Sequence, residues 1–196
     1  MHTQHTPGIG FAGRNHDGNG KRRKQRGVTL IETCIVTVIT AITASTAIPG
    51  MQGLLETRRV DGVATLLATD IQWVRSEAVA RNQPVRLTLH ANAGNTCYVV
   101  HTGAADACSC DGSGPSQCTG ESAREIRTVV LPSSGKVSVE ANVESILFDP
   151  VHGTSTPAGT LRVTGAQGRA VHHVVNVMGR VRSCSPLRTM SAYRAC

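Results

Sequence analysis

The apolar and polar residues divide the chain into stretches with different periodicities. Residues 1–27 are polar and glycine-rich, whereas residues 28–48 form an almost continuous run of apolar and threonine residues. Residues 49–83 carry apolar side chains at helical spacing, and Pro84 is expected to end that helix because proline lacks a backbone donor. From 84 to 196, short β-branched runs alternate with Gly, Pro, Asn and Ser. The pattern predicts a long helix followed by a β-rich domain.

The predicted helix has two parts with different surfaces. Residues 28–48 extend roughly 31 Å as a helix, about the thickness of a bilayer core, and are predicted to cross a membrane once. Residues 49–83 are amphipathic, which predicts one buried face. The expected members of that face are Val63, Leu66, Leu67, Ile71, Val74 and Ala78.

Eight short strands are expected in the β-rich domain, each bounded by turn-forming residues. They are predicted at 85–90, 97–101, 126–131, 137–140, 146–148, 159–164, 170–177 and 180–184. An amphipathic helix lying on antiparallel strands buries the apolar faces of both elements. The expected fold class is therefore α+β, with a long N-terminal helix packed on antiparallel sheet.

Basic residues are concentrated ahead of the apolar run. Residues 1–27 contain six Lys or Arg and a single acidic residue. Such a cluster holds the N-terminus in the cytoplasm, so the C-terminal domain is expected outside the inner membrane, in the periplasm.

Polar groups also occur inside the apolar run. A carboxylate such as that of Glu32 costs about 2.5–3.5 kcal/mol on insertion scales, so it indicates a partner group, unless it reaches the headgroups from the helix end. Five threonines share one side of the helix, and their hydroxyls can bond either to a neighbouring helix or back to their own carbonyls. They are Thr29, Thr33, Thr37, Thr40 and Thr43.

The segment GVTLIE, from Gly27 to Glu32, follows a basic leader and opens the apolar run. It resembles the processing site of type IV prepilins and type II secretion pseudopilins. The resemblance implies cleavage by prepilin peptidase after Gly27, methylation of the new N-terminus at Val28, and a role for Glu32 in assembly with other pilins. It also implies the pilin fold, with residues 1–27 as a cleaved leader and a final location in a pilus or pseudopilus filament.

A Sec signal peptide cleaved after Ala47 is the alternative, because residues 45–47 form a small-x-small site. It would make the protein a secreted hydrolase whose mature chain starts at Ile48. The acidic Glu32 within the apolar run, and the helical pattern that continues past Ala47, favour the prepilin interpretation.

Catalytic and metal-binding motifs are not evident. His172 and His173 are neighbours on a predicted strand, so their side chains point to opposite faces and cannot easily share one ion. No GxSxG-type nucleophile motif accompanies them. We therefore expect no enzyme activity, no cofactor and no metal.

The chain has seven cysteines, of which Cys34 lies in the apolar helix and is expected to be unpaired. The other six are an even number in a disulfide-permissive compartment and are candidates for disulfides of unknown pairing. They are Cys97, Cys108, Cys110, Cys118, Cys184 and Cys196. Because Cys108 and Cys110 are too close to bridge each other comfortably, we expect each to pair elsewhere. The segment at 104–121, which contains three of the cysteines and has no apolar period, is expected to be a stapled loop. A zinc site is the alternative, although this spacing matches no standard ligand set.

Charge is segregated toward the C-terminus. After Asp149 there is no acidic residue, while six arginines follow. Arg180 and Arg182 are two positions apart, so on a strand both guanidinium groups project from one face. Such a pair suits phosphate oxygens, since guanidinium gives planar, bidentate donors. The alternative is a solvent-exposed face, or pairing with acidic residues of the next filament subunit.

The segment GRVR at 179–182 also resembles the GRxR signature of the FimT/GspH group of minor pilins. For FimT-type members, the resemblance implies binding of double-stranded DNA during uptake in natural transformation; for GspH-type members, it implies a structural role in the type II secretion pseudopilus. Arg180 and Arg182 are the DNA contacts that the motif suggests, and Arg188 and Arg194 are added on charge alone. We expect a FimT-like minor pilin in or near the tip of a type IV pilus, with the type II secretion minor pseudopilin as the alternative.

Overall fold

The computed structural model describes residues 27–92, 95–112 and 114–196, without the side chains of residues 46–50 and Asn92. The basic leader predicted at 1–27, apart from Gly27, lies outside the described residues. The chain divides into two compact units, Met1–Thr43 and Ala44–Cys196.

The first unit contains the beginning of helix α1, which comprises Leu30–Arg81. The Thr29 hydroxyl accepts a hydrogen bond from the Glu32 N–H at 3.4 Å, as an N-cap residue does. The hydroxyls of the other four threonines, Thr33, Thr37, Thr40 and Thr43, donate to carbonyls of their own helix, for example from Thr37 to the Thr33 carbonyl at 2.9 Å. Of the two expected arrangements of the threonines, this structure therefore shows the bonds within the helix.

Within the described residues, no helix is both long enough and apolar enough to cross a membrane. The span expected at 28–48 includes 46–48, whose side chains are not described, and it stays a prediction.

The second unit is built on two main antiparallel sheets and the part of α1 that belongs to it. The five-stranded sheet has the order β5-β2-β1-β7-β8. Its strands are β1 Val85–Asn92, β2 Asn95–His101, β5 Glu125–Leu131, β7 Ser145–Phe148 and β8 Ser155–Thr156. The four-stranded sheet has the order β11-β10-β9-β6. Its strands are β6 Val137–Ala141, β9 Gly159–Gly165, β10 Ala170–Val175 and β11 Val181–Cys184. A small ribbon pairs β3 Cys108–Ser109 with β4 Gln117–Cys118.

All eight predicted strands form, and the α+β class is confirmed. The strand expected at 170–177 ends at Val175, because residues 176–179 form a turn. The two-residue strands β3, β4 and β8 were not predicted, since such short pairings have no apolar period of their own.

The core lies between α1 and both sheets, and the helix contributes a stripe that is slightly rotated from the predicted one. The buried apolar residues of the helix are Val60, Ala64, Leu67, Ile71, Val74 and Ala78. Leu66 was expected in this face but is 36% exposed, and Val63 is only partly buried. The exposure of Leu66 follows from helix geometry, because consecutive residues are about 100° apart around the helix and Leu67 already points into the core.

A buried carboxylate on the same helix fixes α1 to the five-stranded sheet. Asp70 is 1% exposed and accepts a hydrogen bond from the Tyr98 hydroxyl at 2.6 Å. Its other oxygen is 2.9 Å from the Arg127 guanidinium, which lies over the Trp73 ring. Burial first, and then the bond to Asp70, raise the pKa of Tyr98, so the phenol stays protonated and remains a donor.

Two further carboxylates of α1 connect it to the C-terminal half of the chain. Glu56 is 2.6 Å from the Arg169 guanidinium, and Asp61 accepts a hydrogen bond from the Tyr193 hydroxyl at 2.8 Å. These contacts use acidic side chains that lie beside the apolar stripe, so they help to determine its register against the four-stranded sheet.

Three disulfides form, as the even number of cysteines outside the apolar helix predicted. The pairs are Cys97–Cys110, Cys108–Cys118 and Cys184–Cys196, with Cα atoms 6.2, 4.0 and 5.0 Å apart. The first attaches the loop at 104–121 to strand β2, and the second links β3 to β4 within that loop. The third closes the C-terminal segment onto β11. Cys34 carries a free thiol. In the described part of the chain, no group of three or more His, Cys, Asp or Glu side chains could hold a metal ion.

We predict an acid-dependent loss of stability from His173, whose side chain is buried on the inner face of the four-stranded sheet. Burial lowers its pKa from 6.5 to about 4. Between these values the unfolded chain binds a proton that the folded chain does not, so the free energy of unfolding falls as pH drops from 6.5 toward 4. The contribution is at most about 1.4 kcal/mol per pH unit.

Urea unfolding at several pH values in this window tests the effect. In the His173→Gln variant, the free energy of unfolding should depend less steeply on pH. Part of the dependence should remain, because burial also lowers the pKa of His101. The parent, unfolded under the same conditions, is the reference. An unchanged slope in His173→Gln would contradict the assignment.

Candidate nucleic-acid interface

The GRVR segment lies in the hairpin that joins β10 to β11. In the register of the two strands, Val175 is opposite Val181. The intervening turn is closed by bonds from the Gly179 N–H to the Asn176 carbonyl at 2.8 Å and from the Asn176 N–H to the Arg180 carbonyl at 3.1 Å. The Asn176 side chain also accepts from the Arg180 N–H at 2.9 Å. The backbone that carries the arginines is therefore well defined.

Gly179 is required at its position by the backbone and by its neighbours. Its φ is +69°, in the left-handed region. A Cβ atom there would lie 2.5 Å from the Gly153 carbonyl oxygen and 3.1 Å from the Arg75 side chain. The glycine thus lets the hairpin approach both helix α1 and the loop that contains Gly153.

This approach creates an open groove of about 810 Å³ between the hairpin, α1 and that loop. It is lined by Gln72, Arg75, Ser76, Val79, Ala80, Val151, His152, Gly153, Gly179, Arg180, Val181 and Arg182. No carboxylate is among the lining residues. The groove therefore offers donors and positive charge, with a few apolar contacts.

Three guanidinium groups supply that charge. Arg180 and Arg182 are exposed, and Arg75 is half-buried and held by a bond from its Nε to the Gly153 carbonyl at 2.8 Å. In the described part of the chain, none of the three forms an ion pair, since the arginines paired with carboxylates are Arg81, Arg127 and Arg169. The arginines of the groove are thus available to an external anion.

Asp149 is the acidic residue that precedes this loop, and its charge is already engaged. The carboxylate accepts hydrogen bonds from the N–H groups of His152 at 2.8 Å and Val151 at 3.0 Å, and it lies 3.2 Å from the His152 ring. The backbone bond from His152 is the main cause that lowers the pKa of Asp149, so the group is ionised at neutral pH. Asp149 therefore does not form an ion pair with any of the three guanidinium groups of the groove.

The structure brings together only part of the arginine set that charge suggested. Arg180 and Arg182 line one groove, although Arg180 precedes β11 instead of lying on it. Arg188 and Arg194 are exposed on the segment that the Cys184–Cys196 disulfide closes, and they do not line the groove. The sequence did not predict that Arg75 belongs to this site, because its position on the polar face of an amphipathic helix does not distinguish it from the other charged residues there.

The residues expected to act in processing and assembly belong to the first unit. Gly27 and Val28 precede α1 and are exposed, and Glu32 is exposed in its first turn.

Comparison with known families gives one match of substantial length. The family described as "Type II transport protein GspH" matches residues 63–179, which is more than half of the chain. The match covers the outer part of α1 and most strands, and it ends at Gly179, just before Arg180. No curated protein matches the sequence significantly.

Solved structures of one type IV minor pilin, FimU of Pseudomonas aeruginosa (strain PAO1), are also similar. In one crystal form the identity is 16% and the TM-score 0.45, with 65% of this chain and 97% of that chain covered. In the other form the identity is 17% and the TM-score 0.46, with 67% and 96% covered.

We predict that Gly179→Ala destabilises the second unit and distorts the groove. Left-handed backbone costs a non-glycine residue about 1–2 kcal/mol, and the contact with the Gly153 carbonyl adds to it. Gly168→Ala is the matched control, since Gly168 has a φ of +82° but no neighbour within 4 Å of the added Cβ. Thermal or urea unfolding should show a larger loss at Gly179 than at Gly168, and equal losses would contradict the close approach.

Proposed function

The chain belongs to the GspH family of type II transport proteins, which are pilin-like structural components and not enzymes. We propose that it is a minor pilin, and that it binds DNA. It assembles in or near the tip of a type IV pilus. There it engages the phosphate backbone of double-stranded DNA non-specifically, without reading base edges, in DNA uptake and pilus biogenesis.

The observation that carries the DNA proposal is the groove with three unpaired arginines and no lining carboxylate. Guanidinium groups bind phosphate oxygens in a bidentate manner, and contacts to the backbone carry no sequence information. Aromatic residues make up only 3% of the chain, which argues against stacking on exposed bases. Double-stranded DNA, recognised through its phosphates, is the ligand that this chemistry suits best.

The assembly part of the proposal draws on the first unit. Val28, Leu30 and Ile31 are exposed in the isolated chain, as are the other large apolar residues of this stretch. Such a surface requires either a lipid phase or other pilins around it. We infer that prepilin peptidase cuts after Gly27 in the inner membrane, with the C-terminal domain in the periplasm. Glu32 then meets a neighbouring subunit as the filament forms.

A structural role in type II secretion is the second candidate, and the description of the matching family favours it. In that case the protein is a minor pseudopilin. Arg180 and Arg182 then contact acidic faces of neighbouring subunits instead of DNA.

Gel-shift titrations in salt distinguish the two functions. With three phosphate contacts, log K should fall by about 2.7 per decade of salt, and Arg180→Ala with Arg182→Ala should reduce that slope by about 1.8. The control is Arg188→Ala with Arg194→Ala, which removes the same charge outside the groove and should change the slope much less. Absence of a shift at low salt, or equal effects of the two double variants, would favour the pseudopilin.

N-terminal sequencing of the membrane-extracted protein tests the processing. We expect a methylated chain that starts at Val28, whereas a start at Ile48 would show a signal peptide instead.

We also expect Glu32→Ala to enter filaments much less than the parent while it is processed normally. Filament purification with quantitative immunoblotting measures this, and normal incorporation would exclude the assembly role.

A further inference from the structure

The tip of the arginine hairpin carries apolar side chains where polar residues are usual. Val177 and Met178 occupy the two central positions of the turn between Asn176 and Gly179, and they are 60% and 57% exposed. Turns of this kind normally favour Gly, Pro, Asn, Asp or Ser, whose backbone freedom, fixed φ or local hydrogen bonds suit a turn and are not supplied by valine or methionine. Two adjacent exposed apolar side chains at a turn therefore indicate a contact with another molecule.

The tip is also held rigidly. The Ser155 N–H donates to the Val177 carbonyl at 2.9 Å, and the Ser155 hydroxyl donates to the Asn176 carbonyl at 2.6 Å. These bonds add to those that close the turn itself. Because the tip is already ordered, its insertion into a ligand does not carry the cost of ordering these residues, which is one of the usual costs of binding.

The position of the tip beside the groove indicates the chemistry of the ligand. Gly179, the next residue after Met178, lines the groove, and the unpaired Arg180 follows it. Architectural DNA-binding proteins combine cations on the phosphates with an apolar wedge that enters a base-pair step and partly unstacks it. Duplex DNA fits both features, because it has a continuous row of phosphates and an apolar interior that is reached between base pairs.

We propose that Val177 and Met178 form a wedge that enters a base-pair step of duplex DNA held by the arginines of the groove. The proposal rests on the proposed DNA binding and adds to it a local distortion of the duplex. It implies a preference for steps that unstack easily, such as pyrimidine–purine steps or a mismatch, without readout of base edges.

Fluorescence of 2-aminopurine placed within a duplex reports unstacking directly. The full chain, purified in detergent, should raise this fluorescence on binding. Val177→Ser with Met178→Ser should abolish the rise and weaken binding by roughly three- to tenfold, with the salt slope unchanged, since no phosphate contact is lost. The control is Leu187→Ser, which removes a 95% exposed leucine outside the groove and should retain the rise.

The outcomes separate the wedge from the DNA binding on which it rests. If the parent does not bind duplex DNA at low salt, both proposals fail. If the parent binds with the expected salt slope but 2-aminopurine fluorescence does not rise, or rises equally in the double serine variant, the wedge alone is overturned. Unfolding curves for each variant establish that it is folded.

Discussion

Packing of the apolar stripe of α1 against both sheets is the constraint on which the second unit depends. The same cluster contains Leu67 and Ile71 from the helix, Tyr98 from the five-stranded sheet, and Leu161 and Val171 from the four-stranded sheet. Truncation of a buried leucine at such a junction costs about 2–5 kcal/mol, because the cavity cannot close fully. Since the two main sheets meet over this stripe, its register decides which parts of the β-rich domain approach the helix.

The buried polar contacts make that register specific. Asp70 has its oxygens bonded to Tyr98 and Arg127, so a rotation or shift of α1 would leave a desolvated carboxylate without partners. An uncompensated buried charge is far more costly than a lost apolar contact. The apolar stripe supplies most of the burial, and the carboxylate selects one arrangement among those that would bury a similar area.

The groove is a consequence of the same packing. Arg75 lies one residue after the buried Val74, so the helix delivers a guanidinium to the edge of the core, where the Gly153 carbonyl holds it. Gly179 allows the hairpin to come within contact distance of that arginine. The positive charge of the site therefore comes from two places in the chain, helix α1 and the β10–β11 hairpin, which meet only because α1 is docked. The disulfides hold other parts of the domain.

The sequence by itself determined the order of elements, the α+β class and all eight longer strands, because periodicity and turn residues act locally. It also indicated six cysteines that pair and the arginines of the GRVR segment. Only the tertiary structure decided the pairing of those cysteines, the burial of Val60 and Ala64 in place of Leu66, and the separation of Arg188 and Arg194 from the groove. It also decided that Arg75 joins Arg180 there. These outcomes depend on how a helix face is set against two sheets, and contacts between residues distant in the chain leave no local pattern from which to predict them.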